Sequence, residues 1–477
     1  MQVDYSKHPE IPPGCQMNLN KVTGAYQVFR EGRNRSPWCT KRRETIGRID
    51  PSGKFTISRT FVLQQKLHSI EQAERQKSDK ARTVAARIQD AVAQSCLDTR
   101  KEELTSIPLS ALVLGSLMMA LTGDSDCVSI SDYISRNREF FCKHFPGCEF
   151  DSVSHDTVRR CLMMLDPEKF ETFYQRMISP LIKQSVRQLC ADGQAIRATG
   201  NTSSDKPEVH GASMIMNFYD ATNRVTVAQK LIAEKTNEIT VGPKVLEGFN
   251  LFGTVVTADA MSCQYNFVRT VVSKGGDYCI SLKGNQETSW REVIYLFNSV
   301  DPSRLIRHES EWELDHGRIE KRTTEMLTGS LLSKEIWNKW YGLASGAIVR
   351  VRSEITKKST GKTSVEDRYY ITSLPALAAV PEQVAQIIRS HWSIENKLHW
   401  TLDNLFRQDR MQADCPSYIE NRSALNKLAL ALLEHYRFYL WDHGEPNKKL
   451  SLHLLQERCR DPQVAIECIG RALGWLH

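Results

Sequence analysis

Val186-Arg187-Gln188-Leu189-Cys190-Ala191-Asp192-Gly193 is the stretch on which the fold turns. A short, mostly apolar run ends in a carboxylate and then a glycine, as a buried strand does when it stops at an acidic side chain. A second run of the same kind, Val255-Val256-Thr257-Ala258-Asp259, follows later in the chain. A carboxylate at the end of an interior strand is costly unless a cation or hydrogen bonds stabilise it. Two of them on neighbouring strands repel, and a divalent metal is the usual remedy. The alternative for each Asp is a turn or a helix cap, and Asp259 stands just before a helix-prone run.

Outward from these two runs, the texture from Arg187 onward is α/β. Candidate strands are Arg187–Ala191, Val209–Tyr219, Arg224–Leu231, Thr254–Ala258 and Tyr278–Leu282, with helical runs at Glu238–Leu246 and Gln264–Ser273. Three early strands followed by strand–helix alternation is the order of a ribonuclease-H-like mixed sheet. We therefore expect residues 186–286 to form the first part of such a sheet. A β-rich insertion follows at 287–373, with β-prone pieces at Glu320–Leu327, Gly346–Ile355 and Val365–Thr372. Residues 374–477 complete the sheet domain and add C-terminal helices. Upstream, 101–185 reads as a helical domain: Ser154 precedes the run Val158–Leu165, and Asp166-Pro167-Glu168 opens the next helix with proline in its first turn. Phe61 to Leu97 reads as one polar connecting helix.

The 477 residues are 41% hydrophobic and 25% charged, ordinary values for a globular protein. The longest apolar stretch, Ile107 to Leu121, is broken by Pro108, Ser110, Gly115 and Ser116, so no bilayer span and no membrane association is expected. The start has no apolar signal core, so secretion is not expected. Thirteen scattered cysteines without a C-x-x-C pair argue for a reducing cytosol. Cys142, His144, Cys148 and His155 are spaced too loosely for the usual paired zinc ligands, and buried free thiols are the simpler reading.

The net charge of +7 is unevenly placed: residues 1–100 hold 18 Lys and Arg against 10 Asp and Glu, and the rest is near neutral. Within that region Ala25–Arg30 and Arg43–Ile49 read as a β-hairpin, with turns at Asn34-Arg35-Ser36-Pro37 and Asp50-Pro51-Ser52-Gly53. Arg33, Arg35, Lys41, Arg42 and Arg43 crowd one end of it around Trp38. A basic tip carrying an aromatic suits a DNA groove and its phosphates; charge on the open face of a small sheet is the alternative. Residues 1–100 are thus expected to be a basic DNA-binding appendage.

Near the C-terminal end, His391, Glu395, His399 and Asp403 recur every four residues and would form one polar stripe on a helix. Such a stripe can hold metal or can be a self-paired, solvated face. It is not the H-E-x-x-H pattern of a zinc hydrolase.

Several motifs, in this order, resemble the DDE transposases of bacterial insertion sequences, in the group of H-repeat-associated proteins. They are L-D-P-E-K-F at 165–170, A-D-G-Q at 191–194, E-K-T-N-E-I at 234–239 and V-T-A-D-A-M-S-C-Q at 256–264. Further on stand G-G-D-Y-C-I-S-L-K-G-N-Q at 275–286, D-H-G-R-I-E-K-R at 315–322 and H-W-S-I-E-N-K-L-H-W-T-L-D at 391–403. The resemblance spans roughly residues 105–435. It implies a catalytic, metal-holding triad of Asp192, Asp259 and Glu395, served by Mg²⁺ or Mn²⁺. The long gap between Asp259 and Glu395 is filled, on this reading, by the β-rich insertion. Two features depart from the family. Gln194 stands where Lys is common, and Ile388, His391 and Leu402 occupy the Tyr, Arg and Lys offsets around the Glu. His391 then replaces Arg as a phosphate contact, and Lys283 joins it.

The resemblance implies a DNA transposase that binds terminal inverted repeats and carries out metal-dependent strand cleavage and strand transfer. Its partners would be transposon ends and target DNA, and synapsis of two ends would call for a homodimer in the bacterial cytoplasm, at the nucleoid. A domesticated DNA-binding regulator and a metal nuclease of the same fold are the competing readings. In the insertion, Trp312 and Trp290 are candidates to stack a base displaced near the cut, Trp312 favoured by the polar Asp315-His316-Gly317-Arg318 after it. The alternative is that both tryptophans are core.

Overall fold

The computed structural model describes residues 2–31, 43–100, 105–200, 211–232, 238–315, 317–376, 380–447 and 449–476. These residues divide into two units, Met1–Lys80 and Ala81–His477. In the first, β1 (Gln16–Leu19), β2 (Tyr26–Glu31), β3 (Arg43–Ile49) and β4 (Phe55–Ile57) pair antiparallel in sequence order. Val28, Ile46 and Ile49 face inward, Ile46 and Ile49 together because a bulge at Ile46 breaks the alternation of β3, and Val3, Ile11, Cys15 and Phe61 close a small core. The turn before β4 is held by Asp50 Oδ1, which accepts from the backbone N–H of Ser52 and of Lys54, both at 2.9 Å. Gly53 there adopts φ 86°, which a Cβ would resist. Arg33, Arg35, Trp38, Lys41 and Arg42 lie outside the described residues, and of Arg43 only the backbone is described.

The expected polar helix is α1 (Arg59–Gln94), a single 36-residue element. Leu63, Leu67 and Ile70 on its first half are exposed, whereas Ala81, Val84, Ala85, Ile88 and Val92 on its second half are buried in the core of the second unit. The five helices that follow are α2 (Leu109–Leu121), α3 (Cys127–Arg136), α4 (Arg138–His144), α5 (His155–Met164) and α6 (Pro167–Ile178). Their starts are where the capping residues put them. Ser154 Oγ accepts from Thr157 N at 3.1 Å, and Asp166 Oδ1 accepts from Glu168 N at 2.9 Å with Pro167 in the first turn.

The sheet of the second unit contains β5 (Gln188–Ile196), β6 (Ser213–Asp220) and β7 (Val225–Ile232). After α7 (Glu238–Leu246) come β8 (Val255–Ala258), α8 (Tyr265–Ser273), β9 (Asp277–Leu282) and α9 (Glu287–Ser299). The chain then forms β10 (Ile306–Glu309), β11 (Glu313–Asp315), β12 (Arg318–Thr328), α10 (Lys334–Lys339), β13 (Ala347–Lys357) and β14 (Thr363–Thr372). The strand order is β10-β12-β13-β14-β9-β8-β5-β6-β7, with β11 beside β12. β5, β8 and β9 run parallel; the other pairings are antiparallel. Residues 287–373 therefore do not stand apart from the sheet: β14 pairs with β9 and extends it, with α9 preceding the added strands in the chain and α10 joining β12 to β13.

The chain ends in α11 (Pro381–Ser393), a π-helical turn at Ile394–His399, α12 (Trp400–Leu405), α13 (Pro416–Asp442), α14 (Leu452–Arg458) and α15 (Pro462–Ala472). α13 packs against α2, α5, α6 and α15, and a single core joins Leu114 and Phe173 to Leu428, Leu432 and Ile466. The boundary expected at 185 is accordingly not a boundary of packing. Local patterning marked these helices correctly, but only the long apolar stretch of α13 returning from the far end of the chain completes their core. No described helix is long and apolar enough to cross a membrane.

Candidate active site

The period of two in β5 puts Gln188, Cys190 and Asp192 on one face and Leu189 and Ala191 on the other, in the apolar core. On β8 the same alternation separates Thr257 from Val256 and Ala258. In the parallel register Ala191 is level with Ala258. The next residues, Asp192 and Asp259, thus follow a level pair on neighbouring strands about 4.8 Å apart; β8 ends at Ala258, whereas β5, expected to stop at Ala191, runs on through Asp192 to Ile196 because β6 continues to pair with it.

The face carrying these carboxylates is covered by α11. Gln188 Nε2 donates to the Ile387 carbonyl at 2.8 Å, and the Cys190 thiol reaches the Ser390 carbonyl at 3.8 Å. Thr257 Oγ1 lies 3.0 Å from His391 Nδ1. Pro381 opens the helix, Val384 and Ile388 anchor it on the sheet, and the π turn follows, held by buried Ile394 and Leu398. π turns of this kind are rare and concentrate at functional sites. The stripe expected from the four-residue spacing is therefore not a solvated face. His391 meets β8, His399 approaches Asp192 on β5, and Asp403 Oδ1 accepts from Gln194 Nε2 at 2.9 Å.

Asp259 and Glu395 line one cavity of about 300 Å³ together with Lys283, Arg368, His391, Trp290 and Trp392. Burial, and then the nearby Asp259 carboxylate, raise the Glu395 acid above the usual range; Arg368 and Lys283 act the other way. Glu395 thus resists ionising beside Asp259 in the absence of a cation. Asp259 Oδ1 accepts from Met261 N at 3.0 Å and Ser262 N at 3.2 Å, so that oxygen holds a turn rather than capping a helix; α8 starts only at Tyr265, with Gln264 at its N-cap. Burial lowers His391 to about 4, against an opposing pull from Asp259, and lowers His399 to about 3. Both rings are neutral near pH 7, so the 3.6 Å approach of His399 Nδ1 to Asp192 Oδ2 is not an ion pair there.

Hard carboxylate oxygens on adjoining strands, with Glu395 beside Asp259 and its acid raised, are a donor set suited to a divalent cation. Among the described residues, no three His, Cys, Asp or Glu side chains are already gathered into a cage for an ion.

Residues 184–432, more than half of the chain, match the family model of the transposase DDE domain. The chain belongs to the DDE transposase family. Residues 93–178 match the domain associated with it. As a member, the protein is a DNA transposase, an enzyme that cleaves and transfers DNA strands in a reaction dependent on divalent metal. It is similar to the H repeat-associated protein YhhI of Escherichia coli K12, at 27% identity over 69% of this chain and 86% of that one. It is also similar to YbfL of the same organism, at 26% identity over the same shares of the two chains. A piggyBac transposase in a synaptic complex with hairpin DNA superposes at TM-score 0.37 and 11% identity over 82% of this chain and 78% of that one, too loosely to place residues.

Within the transposase, Asp259, Glu395, Lys283 and His391 meet at one cavity, and Asp192 stands on the adjoining strand, outside the cavity lining. Trp290 lines that cavity. Trp312 does not: it is 55% exposed, with the Lys321 ammonium 5.8 Å from its ring centre, so it is not core. A cation that the sequence did not single out lies near Glu395 in this cavity. Arg368 on β14 bonds Glu366 at 2.9 Å and stacks 5.4 Å over Trp392. The alternation of Val365–Thr372 marked its strand but not the strand's place beside β9. His399, Asn217 and Gln194 were likewise unassigned to the site. Of the four residues weighed for zinc, Cys142 and Cys148 are neighbours, the Cys148 thiol being raised to about 12 by burial and then by Cys142, whereas His144 packs on Phe140 at 5.0 Å and His155 is exposed.

Proposed function

We propose that the core sheet is ribonuclease-H-like and that Asp192, Asp259 and Glu395 form the catalytic triad of this transposase. The observation that carries the reading is the parallel register of β5 and β8, which sets two carboxylates side by side under the helix that brings Glu395. The order β7-β6-β5-β8-β9, with β5, β8 and β9 parallel, supports the fold assignment. The residues that would hold metal are these three carboxylates, with Mg²⁺ or Mn²⁺ as the ion; what metal supplies there is activation of the attacking hydroxyl and neutralisation of the leaving oxygen. Lys283 and Arg368 place positive charge where a scissile phosphate would sit, and His391, being neutral, offers it a hydrogen bond. The basic N-terminal unit and the helices α2–α6 would grip terminal inverted repeats, and a homodimer would pair two ends.

The test is metal-dependent cleavage of DNA carrying the element's ends. Asp192→Asn, Asp259→Asn and Glu395→Gln should each lower the rate by about 10³-fold or more while leaving DNA retention in a gel-shift assay intact. A double variant should be scarcely worse than a single one, because groups acting as one unit are not additive. Cleavage retained by Asp259→Asn would remove the assignment. Wild-type joining of cut ends to a target duplex separates a transposase from a nuclease of the same fold.

A further inference from the structure

His399 stands at the end of the π turn, reached from both sides by partners on the sheet. Its Nδ1 is 3.6 Å from Asp192 Oδ2, and its Nε2 is 3.2 Å from Asn217 Nδ2 on β6. Asn217 is fully buried, and its Nδ2 also faces the Ile215 carbonyl at 3.4 Å. An amide nitrogen directed at two acceptors fixes the amide's orientation, because the reverse orientation would set its oxygen against a carbonyl. Nε2 must then accept, which leaves the ring proton on Nδ1, directed at the carboxylate.

The register explains why this pair falls here. Asn217 lies opposite Asp192 across the β5–β6 pairing, so one ring bridges two neighbouring strand positions. The π turn has one more residue than an α turn would, and it carries His399 toward β5 and β6 while Glu395, four residues earlier, remains at the cavity beside β8.

We propose that His399, oriented by Asn217, is a positioning residue for Asp192. It would donate Nδ1–H to Oδ2 and so fix the rotation of the carboxylate. The 3.6 Å separation is about half an ångström longer than a full N–H···O bond, a gap that a small rotation of the carboxylate closes. This inference rests on the triad reading, and it concerns how one member of the triad is held. Outer partners of this kind typically affect metal affinity by about 10- to 100-fold.

The test exploits the shapes of amides. Asparagine at this position places its N–H near the site of Nδ1, whereas glutamine places it near Nε2. Mn²⁺ alone would be titrated into the full-length protein, with free ion followed by electron paramagnetic resonance, and melting curves would be recorded in parallel. His399→Gln should weaken Mn²⁺ binding by about 10- to 100-fold, while His399→Asn should stay within about threefold of wild type. Asn217→Ser, which keeps the ring but loosens its tautomer, should shift affinity in the same direction as His399→Gln and serves if that variant is unstable. Equal loss in His399→Asn and His399→Gln, or no loss in His399→Gln and Asn217→Ser, would overturn the proposal. Asp192→Asn tests the underlying reading separately: if it leaves Mn²⁺ binding unchanged, the triad assignment fails whatever His399 does.

Discussion

Lys427, on α13, is the most fully buried basic side chain of the helical core, its ammonium bonded to Gln229 Oε1 and, at 2.9 Å, to Ser423 Oγ. Burial pulls its pKa down to about 7 against the opposing influence of Glu171 and Glu420. An unfolded lysine keeps its proton to about pH 10.4. Between those values the unfolded chain binds the extra proton, so this residue makes stability rise with pH from about 7 upward; below that, both states are charged and its burial cost is felt in full. Replacement by methionine should remove that slope. Melting temperatures taken from pH 6.5 to 8.5 should rise more steeply for wild type than for Lys427→Met, and parallel profiles would show that the ammonium is not desolvated as described. The slope, rather than the absolute stability, is the clean quantity, since Glu171 is itself buried and raised.

At the scale of elements, the strands added after β9 are tied together by charge. Glu325 on β12 is 2% exposed and bonds Arg350 on β13 at 2.6 Å, while Arg307 on β10 takes its other oxygen at 2.6 Å, joining three strands through one carboxylate. Trp312 lies outside that tie, exposed beside Lys321. Trp312→Ala should therefore change stability by no more than about 0.5 kcal/mol, as exposed positions usually do. If Trp312 stacks a displaced base, the same variant should nick the first strand normally and stall at release of the transposon end. A marked fall in melting temperature would restore the core reading, and nicking and release falling together in folded protein would end the stacking idea. Trp290 and Trp392 do line the cavity, together with Asp259 and Glu395.

For the whole molecule, positive charge is concentrated at the start of the chain: residues 1–80 carry 15 Lys and Arg against 8 Asp and Glu. The structure moves the useful truncation point from 100 to Lys80, because Ala81 to Val92 belong to the core of the second unit. Removing residues 1–80 should weaken DNA binding and flatten its log–log salt dependence by about 0.9 for each phosphate that this unit neutralises. An unchanged slope in a salt titration would show that this unit is not a phosphate-binding element. Much of the molecule was legible without coordinates. Two short apolar runs located β5 and β8, although β5 continues past Asp192 to Ile196, and Ser154 and Asp166 marked helix starts, because apolar runs and caps are properties of a few consecutive residues. The order of motifs was likewise enough to name the family. What neighbouring residues cannot specify is which distant segments meet. That α13 closes the core of α2–α6, that β14 docks on β9 and brings Arg368 to Glu395, and that a π turn sends His399 to Asp192 are outcomes of packing between segments far apart in the chain. The four-residue spacing of His391, Glu395, His399 and Asp403 was visible in the sequence; the added residue per turn that distributes them along the sheet was not, because it is set by where Ile394 and Leu398 find their place in the core.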